Sequence, residues 1–194
     1  QVYTQWGRSD SCSNGHTTLY TGAAMSEASS HYRTAPVCVD RKFQGHAASD
    51  SGNQNGGLLY QLEMQSGSAD ETKYPNGVDI GCSVCAVPSG FGTVYPRWGA
   101  TDCPTGSELL YSSFMAGSQH SVQGGTAQYL CMHSSPQAPS GAISGSSKLY
   151  GVEYQGQGGT TDKDAACAMC QVTDAAQVYT QWGRSDSCSN GHTT

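Results

Sequence analysis

The residues of this chain that could do chemistry by type and spacing are its cysteines. There are nine: Cys12, Cys38, Cys82, Cys85, Cys103, Cys131, Cys167, Cys170 and Cys188. Four of them stand in two C-x-x-C pairs, Cys82-Ser-Val-Cys85 and Cys167-Ala-Met-Cys170. Such a pair can supply half of a tetrahedral zinc site, completed here by Cys12 with Cys38 and by Cys103 with Cys131. It can act as a thioredoxin-like dithiol, but that chemistry sits in a βαβ setting that this sequence lacks. Or the cysteines are structural, with two disulfides per group of four and three ways to pair each group. Composition favours disulfides over zinc. Apolar residues are 36% and charged residues 12% of the chain, so little surface is available to bury. A chain of this kind needs covalent pins, and pins of this kind place it outside the cell.

No other constellation rises as far. Asp50, Asn53 and Asn55 are spaced like oxygen ligands of a calcium loop, but the terminal Glu of an EF-hand is missing and a polar loop is the better reading. The six histidines and many serines lack a G-x-S-x-G elbow after a strand, and no catalytic site is expected. No metal or cofactor is expected either. The net charge is −6 and the nine Lys and Arg are scattered, which argues against nucleic acid or an anionic membrane as partner. No apolar run approaches the roughly 18 residues of a membrane-spanning helix.

An odd number of cysteines would leave one over, and a repeat accounts for it. Residues 1–18, QVYTQWGRSDSCSNGHTT, recur letter for letter at 177–194, an offset of 176. Cys188 is thus a second copy of Cys12. A weaker copy begins at residue 93. Val94, Tyr95, Trp98, Gly99, Asp102, Cys103, Gly106, Leu110 and Tyr111 match Val2, Tyr3, Trp6, Gly7, Asp10, Cys12, Gly15, Leu19 and Tyr20. Further on, Leu58-Leu59-Tyr60 matches Lys148-Leu149-Tyr150, and the two C-x-x-C pairs match each other. The chain therefore divides into half A (1–92), half B (93–176) and the start of a second half A (177–194). The expectation is a window on a tandem array. The joins between halves are short, so neighbouring halves should touch and stack into a rod or filament.

The elements that must position the cysteines read as short strands. They are expected at 1–6, 17–21, 36–39, 58–64, 93–98, 108–114, 127–132 and 148–154, bounded by Gly, Asn, Asp, Ser and Pro. Stretches 45–57, 65–76, 134–147 and 155–164 read as surface loops, and 162–169 is the one helical pattern. The fold class is all-β: small, disulfide-stabilised, loop-rich half-units in head-to-tail repeat.

Half B carries Tyr95-Pro-Arg-Trp98-Gly99, Cys103-Pro104-Thr105-Gly106, Leu110-Tyr111, Gly124-Gly125, Tyr129-Leu130-Cys131 and Leu149-Tyr150-Gly151 in order. Half A carries Cys12-Ser-Asn-Gly15, Leu19-Tyr20, Cys38-Val39-Asp40, Gly45-His46-Ala47 and Cys82-Ser-Val-Cys85. Together these resemble the two parts of the C-terminal globular region of sponge-type short-chain collagens. The resemblance implies a secreted matrix module. It departs in two respects: the chain has no Gly-X-Y tract, so no triple helix forms, and the region is repeated head to tail. The functional expectation is a structural subunit of an extracellular filament, its partners being neighbouring repeats or other copies. The rival is a secreted lectin-like module that cradles glycans between exposed Tyr and Trp and polar loops. One further expectation is that residues 177–194 add a strand to the open edge of half B.

Overall fold

A computed structural model describes residues 1–45, 56–67, 70–139, 145–156 and 161–194. Half A contributes β1 (Val2–Arg8), β2 (Thr17–Ser26), β3 (Arg33–Thr34), β4 (Val37–Asp40), β5 (Tyr60–Met64) and β6 (Gly81–Ala86). Half B contributes the matching β7 (Val94–Trp98), β8 (Ser107–Gly117), β9 (Gly125–Thr126), β10 (Leu130–Gln137), β11 (Ser147–Gly151) and β12 (Ala166–Val172). Between β1 and β2, residues Ser13–Gly15 make one 3-10 turn. The chain is thus nearly all β, as its turn-bounded strands predict.

Of the twelve strands among the described residues, four are not legible in the sequence: the two-residue β3 and β9, and the longer β6 and β12. Residues 162–169, expected to be helical, hold instead the start of β12. Both longer strands, β6 and β12, are buried almost from end to end, so they show no alternation of apolar and polar side chains. Their Ala, Ser, Cys and Met residues are small or helix-tolerant. Tertiary pairing, not local propensity, makes them strands. β6 is held between β1 and β2, antiparallel to both. β12 is held the same way between β7 and β8.

The halves do not form separate sheets. The main sheet runs β10-β1-β6-β2-β5-β11-β8-β12-β7, with β4 beside β2. Two parallel pairings join the halves: β1 with β10, setting Trp6 against Met132, and β5 with β11, setting Glu63 against Lys148. Because β10 also pairs with β8, the hydrogen bonds run in a closed circuit through β10, β1, β6, β2, β5, β11 and β8. Closure removes sheet edges at this seam. The short β3 and β9 form a third parallel pair between the halves.

Both apolar clusters straddle the same boundary. One joins Ala24, Leu62, Met64, Tyr74, Ile80 and Cys82 of half A to Phe114, Ala116, Leu130, Met132 and Leu149 of half B. The other sets Tyr3, Cys12 and Cys85 against Leu110, Tyr111, Met115, Cys131, Cys167 and Met169. Neither half has a core of its own that excludes the other.

Residues 177–194 do not add a strand. The stretch carries a 3-10 turn at Ser189–Gly191 but no strand. Its local bonds nevertheless repeat those of residues 1–18. Gln181 Oε1 accepts from the Ser189 amide as Gln5 Oε1 does from Ser13, at 3.0 Å in each case. Tyr179 meets His192 as Tyr3 meets His16, again at 3.0 Å in each. The physical reason for the missing strand is supply. β1 lies between β6 and β10, and within these 194 residues both are already taken.

The Trp6-Gly7 pair shows how tight the seam is. Gly7 has φ +93°, and a Cβ there would come within 2.1 Å of the Tyr74 hydroxyl oxygen. That hydroxyl donates to the His133 carbonyl of half B at 2.7 Å. Gly15 also has positive φ, +70°, but open space around it. Gly7→Ala should therefore cost about 3 kcal/mol or more and Gly15→Ala only about 1 kcal/mol, the shared part being backbone strain. Equal losses in denaturant titrations would contradict a packed seam at Gly7.

Candidate functional site

The nine cysteines fall into four bridges and one free thiol. Cys12 pairs with Cys85, Cys38 with Cys82, Cys103 with Cys170 and Cys131 with Cys167. The Cα–Cα distances of 5.7–5.9 Å are those of ordinary disulfides. Equivalent cysteines make equivalent bridges in the two halves. Of the three pairings open to each half, the one formed links the first cysteine to the last and the second to the third.

Strand geometry explains why the C-x-x-C pairs chelate nothing. Side chains alternate along a strand, so residues three apart point to opposite faces. Cys82 lies in one apolar cluster and Cys85 in the other. A zinc site needs both thiolates on the same side. Among the described residues no group of three or more His, Cys, Asp and Glu could hold a metal ion. Asp50, Asn53 and Asn55 lie outside the described residues. Cys188, expected with the disulfide cysteines, has no disulfide partner. Its counterpart Cys12 is joined to Cys85, the last cysteine of the same half.

At the seam sits a polar network that the sequence reading missed. Ser13 Oγ lies 2.6 Å from Gln5 Oε1 and 3.1 Å from His133 Nε2 of half B. A serine beside a histidine invites a nucleophilic reading, and the direction of the protons answers it. Gln5 Nε2 donates to the Ser11 carbonyl at 2.8 Å, so its Oε1 faces Ser13. That oxygen can only accept, and the serine hydroxyl must donate to it. The His133 Nε2 is then the donor to the serine, while Nδ1 accepts the Ser135 amide at 2.9 Å. This assignment follows from the hydrogen-bond network. The imidazole gives a proton to the serine and cannot act as its base. The arrangement is a neutral clamp across the seam. Nothing in the strand pattern could have revealed it, because the three residues lie on separate segments and touch only in the fold.

Burial, with the Arg8 charge beside it, lowers the His133 pKa from 6.5 to about 4. Burial raises the Tyr3 hydroxyl to about 12, and Tyr111 and Tyr74 are raised as well. These tyrosines are neutral packing groups at any ordinary pH.

Beside the seam, β3 and β9 border an open cleft of about 1070 Å³, lined by Arg33, His120, Tyr129, Tyr150, Glu153 and Gln155 among others. Arg33 already donates to the Gln119 and Val122 carbonyls at 3.0 and 3.1 Å. The Tyr129 ring is exposed. Of the aromatic residues singled out in the sequence, Tyr3 belongs to one apolar cluster, Trp6 packs against the other, and Trp98 is exposed. No helix among the described residues is long and apolar enough to cross a membrane.

No protein-family model matches this chain, and no curated protein matches it.

Two measurements check this site. Peptide mapping under non-reducing conditions should recover the four bridges, with one reactive thiol per 194-residue chain, at Cys188. Stability should also fall in acid. A histidine with its folded pKa near 4 and its unfolded pKa near 6.5 binds more protons unfolded between those values, so stability is complete above about pH 6.5 and declines as pH drops towards 4. The loss should reach about 2–3 kcal/mol, and His133→Gln should flatten that part of the profile. An unchanged profile in the variant would remove the clamp from the account.

Proposed function

We propose that this chain is a segment of a secreted, extracellular structural fibre built from tandem, disulfide-rich β repeats. The observation that carries the reading is the seam. Two related half-units joined by a link of a few residues share one closed circuit of strands and both of their apolar clusters. Units fused in this way transmit load through main-chain hydrogen bonds and covalent pins, as a rod does. The exact recurrence of residues 1–18 at 177–194 supports the tandem arrangement, since the second copy already adopts the local bonds of the first. Four disulfides fit an oxidising compartment. The resemblance to the globular region of short-chain collagens points to the same matrix setting.

A second reading is a secreted sugar-binding module, favoured by the exposed Tyr129 ring over the polar cleft at β3 and β9. An aromatic face with amide and carboxylate neighbours suits a saccharide.

Negative-stain electron microscopy of the native material, with and without reductant, separates the two. The fibre reading expects long regular filaments that soften or fragment on reduction. Discrete particles indifferent to reductant, with glycan binding that Tyr129→Ala abolishes at unchanged stability, would replace it by the module.

A further inference from the structure

Corresponding residues of the two halves differ sharply in exposure, and the difference follows one rule. Leu110, Leu130 and Leu149 of half B are 7%, 2% and 0% exposed because half A covers them, while their counterparts Leu19, Val37 and Leu59 are 52%, 42% and 58% exposed. The opposite face behaves in mirror fashion. Tyr3 and Cys12 of half A are buried against half B, while their counterparts Tyr95 and Cys103 are only partly covered and Trp98 is 44% exposed. Half A thus presents an empty copy of the surface that half B uses at the seam. Half B presents an empty copy of the surface that half A uses.

The strand pairings say the same. At the seam, half A supplies β1-β6-β2-β5 and half B supplies β11-β8-β10. At the far side of half B, β7-β12-β8-β11 stands ready in the equivalent order. At the far side of half A, β5-β2-β4 stands ready, with β4 paired only to β2 among the described strands. The register of β2 on β4 is also that of β8 on β10: Ala24 faces Cys38 as Met115 faces Cys131. An open groove lined by Met25, Val39, Phe43 and Leu59 lies where the equivalent surface of half B is filled.

We propose that these two faces are the halves of one head-to-tail interface, and that the occupant of each is a second copy of this chain. The parallel edge β7 docks on β4 of the next copy, with Trp98 opposite Val39 as Trp6 is opposite Met132. Beside it, residues 152–154, which continue β11, dock on residues 57–59, which lead into β5, with Glu153 opposite Leu58 as Glu63 is opposite Lys148. The interface is heterologous: two different faces meet, so copies add in one direction without closing a pair. It rests on the fibre reading above and supplies that reading with its joint.

Cysteine cross-linking tests the register directly. Glu153→Cys and Leu58→Cys, both at exposed positions, are placed in separate 194-residue chains that also carry Cys188→Ser. They are then mixed in concentrated solution and oxidised. The expected result is a covalent dimer of the mixed chains, at least tenfold more abundant than with either variant alone. A third change, Leu59→Asp on the Leu58→Cys chain, should abolish it. Glu63→Cys with Lys148→Cys in one chain is the internal reference, closing the same contact within the molecule. If that reference closes and the mixed pair does not, the interface is wrong, even where native material forms fibres. If the mixed pair closes while native material forms no fibre, the interface stands and the fibre reading falls.

Discussion

Two sulfurs three residues apart on an extended strand must leave that strand on opposite sides. In this chain the constraint is met twice, on β6 and β12, and most of the architecture follows from it. Cys82 reaches Cys38, and Cys85 reaches Cys12, so one strand is fixed to both layers that flank it. The bridges close loops of 36 to 73 residues, each adding about 3–5 kcal/mol by restricting the unfolded chain. Such pins matter because the strands they hold are rich in Ala, Ser, Gly and Cys. Side chains this small bury little area, and a half-unit of them would not be stable by the hydrophobic effect alone.

The same shortage explains why the halves fuse. The large apolar residues of each cluster come from both halves, as Leu62, Met64 and Tyr74 do with Phe114, Met132 and Leu149. A strand circuit shared between units buries main-chain edges and pooled side chains together. Gly7 is part of that arrangement. Its lack of a Cβ lets the Tyr74 hydroxyl reach across to the His133 carbonyl, so a backbone approach in half A becomes a hydrogen bond to half B. The Gln5–Ser13–His133 clamp works alongside it, and its proton order fixes the histidine neutral.

What the sequence disclosed and what it withheld divide along physical lines. Strands flanked by Gly, Asn and Pro, such as β1, β7 and β8, could be read from their turns. The matched order of cysteines in the two halves announced matched bridges. β6 and β12 could not be read, because a strand buried on both faces has no alternation to display and their composition leans towards helix. Residues 130–137 were seen only in part, since polar His133, Ser134 and Pro136 look like loop until β1 is laid beside them. Pairings between β1 and β10, more than a hundred residues apart, leave no trace in any local window. The seam clamp is illegible for the same reason. Cys188 repeats Cys12 in sequence, but a copy of a cysteine is not a copy of its partner.

Why two halves rather than one repeated identically is a question the exposures help to answer. Half B's face towards half A holds Leu110, Leu130 and Leu149, whereas half A's own free face holds Leu19, Val37 and Leu59. The shapes are related but not the same, and so are the surfaces set against them: Trp6, Leu62 and Met64 at the seam, Trp98, Val152 and Tyr154 in the proposed joint. Two interfaces that share a strand plan and differ in side chains discriminate against each other. In the proposed array half A fits half B and half B fits the next half A, and the differing side chains disfavour A on A or B on B. Alternation then makes misregistered pairing costly, which a row of identical units with the same open edges could not do.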